Sequence, residues 1–203
     1  MHAFVQGVGI GASLIMAVGA QNAFVLKQGL KRQHPMPIAA LCSFIDAVMI
    51  MAGVAGFGHL IQAFPLVKDI ASIGGALFLF IYGAMALKSS FTEHTMEQAT
   101  QHKGQTLKAA VLTTLGISLL NPHLYLDTVV LLGSISTQFA GNERSMFGAG
   151  AVLASFIWFF SLSFGARFLS PLFQNPKSWC YLDRFIWLTM WAIGFGLIFP
   201  YFN

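Results

Sequence analysis

Residues 119–132, LLNPHLYLDTVVLL, combine an apolar background with side chains that can do chemistry. His123 and Asp127 are four positions apart, so on a helix they share one face. A histidine titrates near neutral pH, and a carboxylate beside it can share its proton. The pair therefore predicts either a proton-transfer step or a fixed hydrogen bond that neutralises a buried acid, and both interpretations stay open.

The same stretch predicts a broken helix. Pro122 has no N–H and its ring crowds the carbonyl of Ser118, so a continuous helix is interrupted there. Asparagine is a favourable N-cap and proline a favourable first residue, so a new half-helix should begin with Asn121 as its cap. Its positive end would attract an anion such as the carboxylate of an amino acid. An ordinary proline kink is the alternative.

A second polar interruption lies in MAVGAQNAFVL, residues 16–26, where Gly19, Gln21 and Asn22 stand in an apolar run. When Asn22 is aligned with Asn121, small or apolar residues precede both and apolar residues follow both. Two matching interruptions favour a binding site over a single kink.

Asp46 and Asp127 are the two acids predicted well inside apolar segments. An aspartate at the centre of a membrane helix costs about 2.5–3.5 kcal/mol, so each needs a partner, a proton or a wet cavity. Asp46 shares a helix face with small residues, which predicts that this stripe packs inward. These small residues are Cys42, Ser43 and Gly53.

The elements that carry these residues are predicted to be membrane helices. Of the 203 residues, 56% are hydrophobic and 9% are charged, whereas a soluble domain carries about 25% charged residues. The two cysteines have no metal-ligand or relay spacing, and one His–Asp pair without a nearby nucleophile is weak support for an enzyme. We predict no enzyme activity, no cofactor and no nucleic-acid partner.

We predict an all-α integral membrane protein that forms one transmembrane domain, residues 1–203. The polar interval 88–106 is expected to be a cytoplasmic loop between repeat 1, about 1–87, and repeat 2, about 107–203. The two would be inverted three-helix repeats, each with its first helix broken. A spanning helix takes about 20 residues, and the six apolar segments are about 3–26, 37–58, 70–87, 109–132, 147–166 and 185–202.

The basic residues predict the orientation. Of the 11 Lys and Arg residues, only Lys68 and Arg144 fall in connections on the outer side if the N-terminus is outside. Both termini are therefore expected on the periplasmic side of a bacterial inner membrane. Asp183, just before the sixth segment, is expected to be an N-cap or an ion-pair partner of Arg184. The basic residues on the cytoplasmic side are Lys27, Lys31, Arg32, Lys88, Lys103, Lys108, Arg167, Lys177 and Arg184.

Three motifs together resemble the LysE-type amino acid exporters, and most of all their arginine-exporter branch. They are GAQNAFVLKQGLKR (19–32), CSFIDAVMI (42–50) and LNPHLYLDTVVLLG (120–133). The similarity runs over nearly the whole chain and implies an exporter of basic L-amino acids, arginine first and lysine second. Related exporters of neutral amino acids typically have Gly-Pro where this chain has Gly19-Ala20, which favours the basic branch.

The resemblance and the residues together suggest one site. Substrate binding is assigned to Gly19, Gln21, Asn22, Asn121, Pro122 and Tyr125. Binding of the substrate cation and coupling to protons are assigned to Asp46, Asp127 and His123. Asn22, Asn121 and free helix amides are expected to bind the substrate carboxylate. Tyr125 projects to a different face from His123 and Asp127, which is more often a packing position.

Proton antiport with alternating access is the expected mechanism. Moving one positive charge against the membrane potential costs about 2.3 kcal/mol per 100 mV, whereas exchange for a proton moves no net charge. The alternatives are export of neutral amino acids such as homoserine, and a passive amino acid channel. The expected partners are the amino acid, protons and the lipid bilayer, and a homo-oligomer is left open.

Overall fold

The computed structural model describes residues 1–16, 19–56, 65–91 and 105–201, and these ranges are helical and contain no strand. The all-α prediction is therefore confirmed for this part of the chain. Short 3-10 turns follow the last two long helices. The helices are α1 (His2–Ile15), α2 (Ala20–Leu30), α3 (Pro35–Ala55), α4 (Pro65–Ser90), α5 (Leu107–Leu119), α6 (Pro122–Leu124, Tyr125–Leu131 and Leu132–Ser136), α7 (Asn142–Leu169) and α8 (Pro176–Ile198).

Among the described residues, α3, α4, α7 and α8 are long and apolar enough to cross a membrane. Helices α1 and α2 meet at 84° and make a fifth candidate if the bent pair counts as one span. Helix α5 and the Tyr125–Ser136 part of α6 are shorter apolar helices. The apolar helices indicate a multi-pass membrane protein, and the six-span inverted repeat stays a prediction.

Two helices extend beyond the predicted segments. Helix α4 runs from Pro65 to Ser90 around the predicted segment 70–87, and residues 92–104 of the predicted loop lie outside the described residues. Helix α8 begins at Pro176, nine residues before the predicted start at 185. The side chain of Asn175 accepts a hydrogen bond from the Lys177 N–H at 3.0 Å, so an Asn-Pro pair caps this helix.

Small residues bring α1 and α7 into close contact. A Cβ atom added to Gly11 would lie 2.8 Å from the Ala151 Cα atom, and one added to Gly7 would meet the Phe147 carbonyl. Real side chains do not fit at such distances, so the two backbones approach closely only because both residues are glycine. This packing fixes the end of α1 beside the middle of α7.

Helices α3 and α6 approach each other in the same way. A Cβ atom on Gly53 would lie 2.6 Å from the Thr128 carbonyl oxygen, and one on Gly133 would lie 2.7 Å from the Gly53 carbonyl oxygen. Cys42 and Ser43, on the same stripe as Gly53, are fully buried. The predicted inward-facing stripe of α3 is confirmed.

The helices pack in two groups: α1, α2, α3, α6 and α7 form one, and α4 and α8 form the other. Helix α7 packs most extensively against α1, α3 and α2, and α6 packs against α3. Helix α4 packs mainly against α8, where aromatic rings such as Phe80 and Trp191 meet edge to face at 5.8 Å. A shared apolar core that includes Phe24, Leu79 and Met190 joins the groups.

Candidate functional site: a cavity between two helix breaks

A cavity of about 260 Å³ lies where the two helix breaks meet α3, α7 and α8. Pockets for drug-sized ligands measure about 300–1,000 Å³, so this volume suits a smaller solute such as an amino acid. Apolar side chains including Phe159 and Ile193 complete its wall. The predicted site residues that line it are Gly19, Gln21, Asn22, Asp46, Asn121, His123 and Asp127.

The first break presents backbone donors to this cavity. Helix α1 ends at Ile15 and α2 begins at Ala20 with Gly19 as its N-cap. The first hydrogen bond of α2 runs from the Ala23 N–H to the Gly19 carbonyl at 3.0 Å. The amides of Ala20 and Gln21 precede this bond and meet no backbone acceptor among the described residues. Such an N-terminus attracts an anionic group.

The side chain of Asn22 spans this break. Its Nδ2 donates to the Ile15 carbonyl at 3.0 Å, and its Oδ1 accepts a hydrogen bond from Trp158 Nε1 at 3.1 Å. The sequence analysis assigned this side chain to the substrate carboxylate, whereas in the structure it connects α1, α2 and α7. Trp158 was missed because nothing in the apolar run around it distinguishes a hydrogen-bonding tryptophan from a packing one.

Gln21 supplies a side-chain donor beside the amides of Ala20 and Gln21. Its Nε2 is buried and has no hydrogen-bond partner among the described residues, and the residue lines the cavity. A buried donor without a partner costs about 1–3 kcal/mol. This cost is recovered when a ligand provides an acceptor.

The second break has its donors satisfied. The Asn121 Oδ1 accepts a hydrogen bond from the His123 N–H at 3.1 Å, so the predicted cap is confirmed. The Leu124 N–H donates to the Asn121 carbonyl at 3.1 Å, and Pro122 has no N–H. The predicted broken helix is also confirmed, since α5 ends at Leu119. The side chain of Pro122 is not among those described.

Tyr125 is absent from the lining of the cavity. Its hydroxyl donates to the Leu119 carbonyl at 2.8 Å, which closes the last turn before the second break. The structure therefore gives this residue a role in holding α5 to α6.

A π-helical stretch, Tyr125–Leu131, follows the second break and carries Asp127. Hydrogen bonds in a π-helix span five residues, so the side chains no longer follow α-helical spacing. Asp127 is half-buried and His123 is exposed, and both line the cavity. No hydrogen bond joins them in the part of the chain that the structure describes, so the predicted fixed bond is not formed.

Asp46 is held from one side only. It is 3% exposed, and its Oδ2 accepts a hydrogen bond from the Ser155 hydroxyl on α7 at 2.8 Å. Its Oδ1 has no hydrogen bond among the described residues, and Asp46 lines the cavity. One carboxylate oxygen is thus available to a ligand. Within the same residues, no three His, Cys, Asp or Glu side chains are grouped to hold a metal ion.

A second polar cluster lies at the far end of α2. Lys27 forms an ion pair with Asp183, which is 3% exposed and sits inside α8. The expectation of an N-cap or an Arg184 partner was therefore wrong. The true partner is 156 residues away in sequence, a separation that local patterns do not reveal.

Lys31, just beyond α2, belongs to this cluster. Its Nζ lies 5.9 Å from the centroid of the Trp179 ring. Burial lowers the pKa of Lys31, the charge of Lys27 lowers it further, and the carboxylate of Asp183 opposes both effects. The cluster is separate from the cavity.

The chain is similar to known amino acid transporters over nearly its whole length. Residues 12–200 match the LysE type translocator family. The arginine exporter protein ArgO of Pectobacterium carotovorum is 38% identical over 194 residues, covering 96% of this chain and 95% of that protein. The putative amino-acid transporter YggA of Aeromonas salmonicida is 40% identical over 192 residues, covering 95% and 93%. No solved structure gives a significant match. The chain therefore belongs to the LysE type translocator family.

Proposed function

We propose that the protein exports basic L-amino acids, arginine first and lysine second, across the bacterial inner membrane. The observation that carries this proposal is the cavity, which has donors without a partner among the described residues at one helix break and two carboxylates in its wall. The similarity to proteins named arginine exporter supports the choice of substrate.

The charges of the site fit a basic amino acid. The carboxylate of the substrate would bind the amides of Ala20 and Gln21 and the side chain of Gln21. Asp46 and Asp127 would then neutralise the α-amino group and the side-chain cation. A neutral amino acid has only one cationic group, so one buried carboxylate would be left without a counter-ion, which is costly.

The packing supports two inverted repeats with six crossings. The first, broken helix of each half packs against the second helix of the other half: α1 against α7, and α5–α6 against α3. The second helices, α3 and α7, pack together, and so do the third helices, α4 and α8. Such reciprocal packing between equivalent helices is expected of two halves related by a pseudo-twofold axis in the membrane plane. Both termini would then lie in the periplasm.

Proton antiport with alternating access would drive export. Moving a cationic substrate out of a negative interior costs about 2.3 kcal/mol per 100 mV. An entering proton balances the charge and removes this cost. Asp46 and Asp127 would bind the substrate cation or a proton in turn. His123 lines the same cavity and would carry the proton to or from Asp127.

An export assay tests the substrate. Cells that lack their own exporters are loaded with labelled arginine, lysine or homoserine, and the label in the medium is followed. We expect fast arginine export, slower lysine export and no homoserine export above the empty-vector control. Homoserine export at the arginine rate would contradict the proposal and favour the neutral branch.

Reconstituted vesicles test the coupling. We expect a proton gradient directed against arginine flux to drive its accumulation above equilibrium. The double variant Asp46→Asn/Asp127→Asn, which lacks both acids for the substrate cation and the proton, should show no gradient-driven arginine flux. Gradient-dependent flux in that variant would exclude these acids as the coupling groups, and flux that only equilibrates arginine would indicate a channel.

A further inference from the structure

Two hydrogen bonds in series bridge the first helix break. The Ile15 carbonyl, at the end of α1, has no partner within the helix and accepts its bond from Asn22 Nδ2 at 3.0 Å. The indole of Trp158 can only donate, and it donates to Asn22 Oδ1 at 3.1 Å. Since the indole requires an acceptor, it fixes the orientation in which the Asn22 amide faces Ile15.

The same face of α7 holds other parts of the cavity. Ser155, three residues before Trp158, binds the Asp46 carboxylate, and Phe159 forms part of the cavity wall. Trp158 itself is half-buried and does not line the cavity. Any effect of Trp158 on a bound solute therefore acts through Asn22.

We propose that Trp158 is a positioning residue for the amino acid site, a role that rests on the proposed function. Without the indole N–H, the Asn22 Oδ1 loses a donor from α7, and the amide that bonds the Ile15 carbonyl is held less firmly across the break. The amides of Ala20 and Gln21 then no longer point to one place in the cavity. Substrate affinity falls, whereas the turnover of a filled site changes little.

Trp158→Phe tests this role, because phenylalanine retains most of the ring packing and removes the N–H. Trp179→Phe is the matched control, since its indole also donates to a carbonyl, that of Phe173 at 2.9 Å, away from the cavity. In reconstituted vesicles we expect the arginine KM of Trp158→Phe to rise about fivefold to tenfold, the range for one lost hydrogen bond, with the maximal rate within about twofold.

The control variant should keep the parent KM. An unchanged KM in folded Trp158→Phe, or an equal rise in both variants, would overturn the positioning role. If Trp158→Phe folds poorly, Trp158→His keeps a ring N–H, and a KM below that of Trp158→Phe in the folded fraction supports the role. Failure of the parent protein to transport arginine would instead contradict the proposed function.

A different observation carries a second inference. The ion pair between Lys27 on α2 and Asp183 on α8 is extended by the Ser89 hydroxyl on α4, which donates to Asp183 Oδ2 at 2.6 Å. The Lys27 and Asp183 side chains are only 13% and 4% exposed. Removing one partner of such a pair leaves a buried charge and is strongly destabilising. Lys27 and Asp183 therefore each depend on the other as a buried counter-ion.

This contact joins the two packing groups. Helix α2 belongs with α1, α3 and α7, whereas α4 and α8 pack mainly on each other. The cavity lies between the groups, with Ile193 of α8 in its wall. Lys27 follows Ala20 by about two turns of α2, so the ion pair ties the groups together at the end of α2 away from the cavity.

We also propose that the Lys27–Asp183–Ser89 contact, here called the latch, holds the α4–α8 pair against α2 and closes one side of the cavity. In the alternating access of the proposed function, the latch opens when the α4–α8 pair moves away from α2. The glycine contacts of α1 with α7 and of α3 with α6 stay closed through the cycle.

Reversible cross-linking tests the latch. Lys27→Cys and Asp183→Cys are combined in a background in which the native Cys42 and Cys180 are replaced. A short reducible reagent that reacts with a thiol at each end then joins the two new cysteines. The matched control joins Val54→Cys and Gly148→Cys within one packing group, where a Cβ atom on Gly148 would lie 3.6 Å from that of Val54, a suitable distance for a disulfide.

We expect linkage of the latch pair to lower arginine transport at least tenfold and reduction to restore it, while the linked control pair keeps more than half of its activity. Full transport by the linked latch pair would overturn the proposal without affecting the proposed function. If the cysteine pair is inactive before linkage, the reversed pair Lys27→Asp/Asp183→Lys should recover transport relative to either single variant. Failure of that recovery in folded protein would also overturn the latch.

Discussion

The two helix breaks differ in what they leave unsatisfied. At the first break, Ala20 and Gln21 line the cavity and their amides have no described backbone acceptor. At the second, Pro122 has no N–H, and the next two amides donate to Asn121. The first break therefore provides donors for an anion, whereas the second provides none from its backbone.

This difference gives the proposed site a direction. The free donors of the first break suit the substrate carboxylate, and the acid beside the second break, Asp127, suits a cation. A pair of matched sequence interruptions thus yields two unlike ends of one cavity. In place of the expectation that both breaks bind the carboxylate, we propose this division of roles, and the following predictions test it.

The largest effect is expected from Asp127→Asn at the second break. Truncating one member of a desolvated charge pair costs about 2–5 kcal/mol, so the arginine KM should rise about 100-fold in vesicle transport. The exposed acid Glu143 provides the control variant Glu143→Gln, which should leave the KM unchanged. A normal arginine KM in Asp127→Asn would remove this residue from the site.

Gln21→Leu at the first break should have a smaller effect. It removes one donor to the substrate carboxylate, so the KM should rise about tenfold. Arginine and lysine share that carboxylate, and the two KM values should therefore rise by the same factor. A rise for only one of the two substrates would show that Gln21 contacts the side chain instead.

Asn121→Ala should act on stability and not on affinity. Losing an N-cap costs about 0.5–2 kcal/mol, and the free energy of unfolding in detergent should fall by about that amount. The arginine KM should stay within about twofold of the parent, because the Asn121 side chain is engaged by the His123 N–H. A tenfold rise in KM at unchanged stability would return this residue to the carboxylate site.

Tyr125→Phe is the mildest change. It removes the hydroxyl bond to the Leu119 carbonyl, which should lower the free energy of unfolding by about 1 kcal/mol. Transport of arginine should be unaffected, since the residue does not line the cavity. A large loss of affinity in this variant would restore the substrate contact that the family resemblance implies.

Local sequence signals predicted much of this arrangement. The break at Pro122 and the cap by Asn121 follow from the chemistry of two adjacent residues. The start of α8 carries the same Asn-Pro signal, which was overlooked because the apolar run begins later. The π-helical stretch is in close contact with α3 at Gly53, and no local pattern in the sequence specifies that contact.

Long-range partners were beyond the reach of the sequence. Ser155 and Trp158 resemble ordinary residues of an apolar helix, and only the packing of α7 brings them to Asp46 and Asn22. Asp183 looked like a helix cap because its partner comes from the other half of the chain. Most of the polar residues that line the cavity were predictable, whereas its apolar wall and the residues that hold the polar ones in position were not.

Arginine binding to the purified protein tests the central claim most directly. Calorimetry in detergent should detect saturable binding of arginine to the parent protein and none to folded Asp46→Asn/Asp127→Asn. Binding of equal affinity in the folded double variant would contradict a basic amino acid site in the cavity between the two helix breaks.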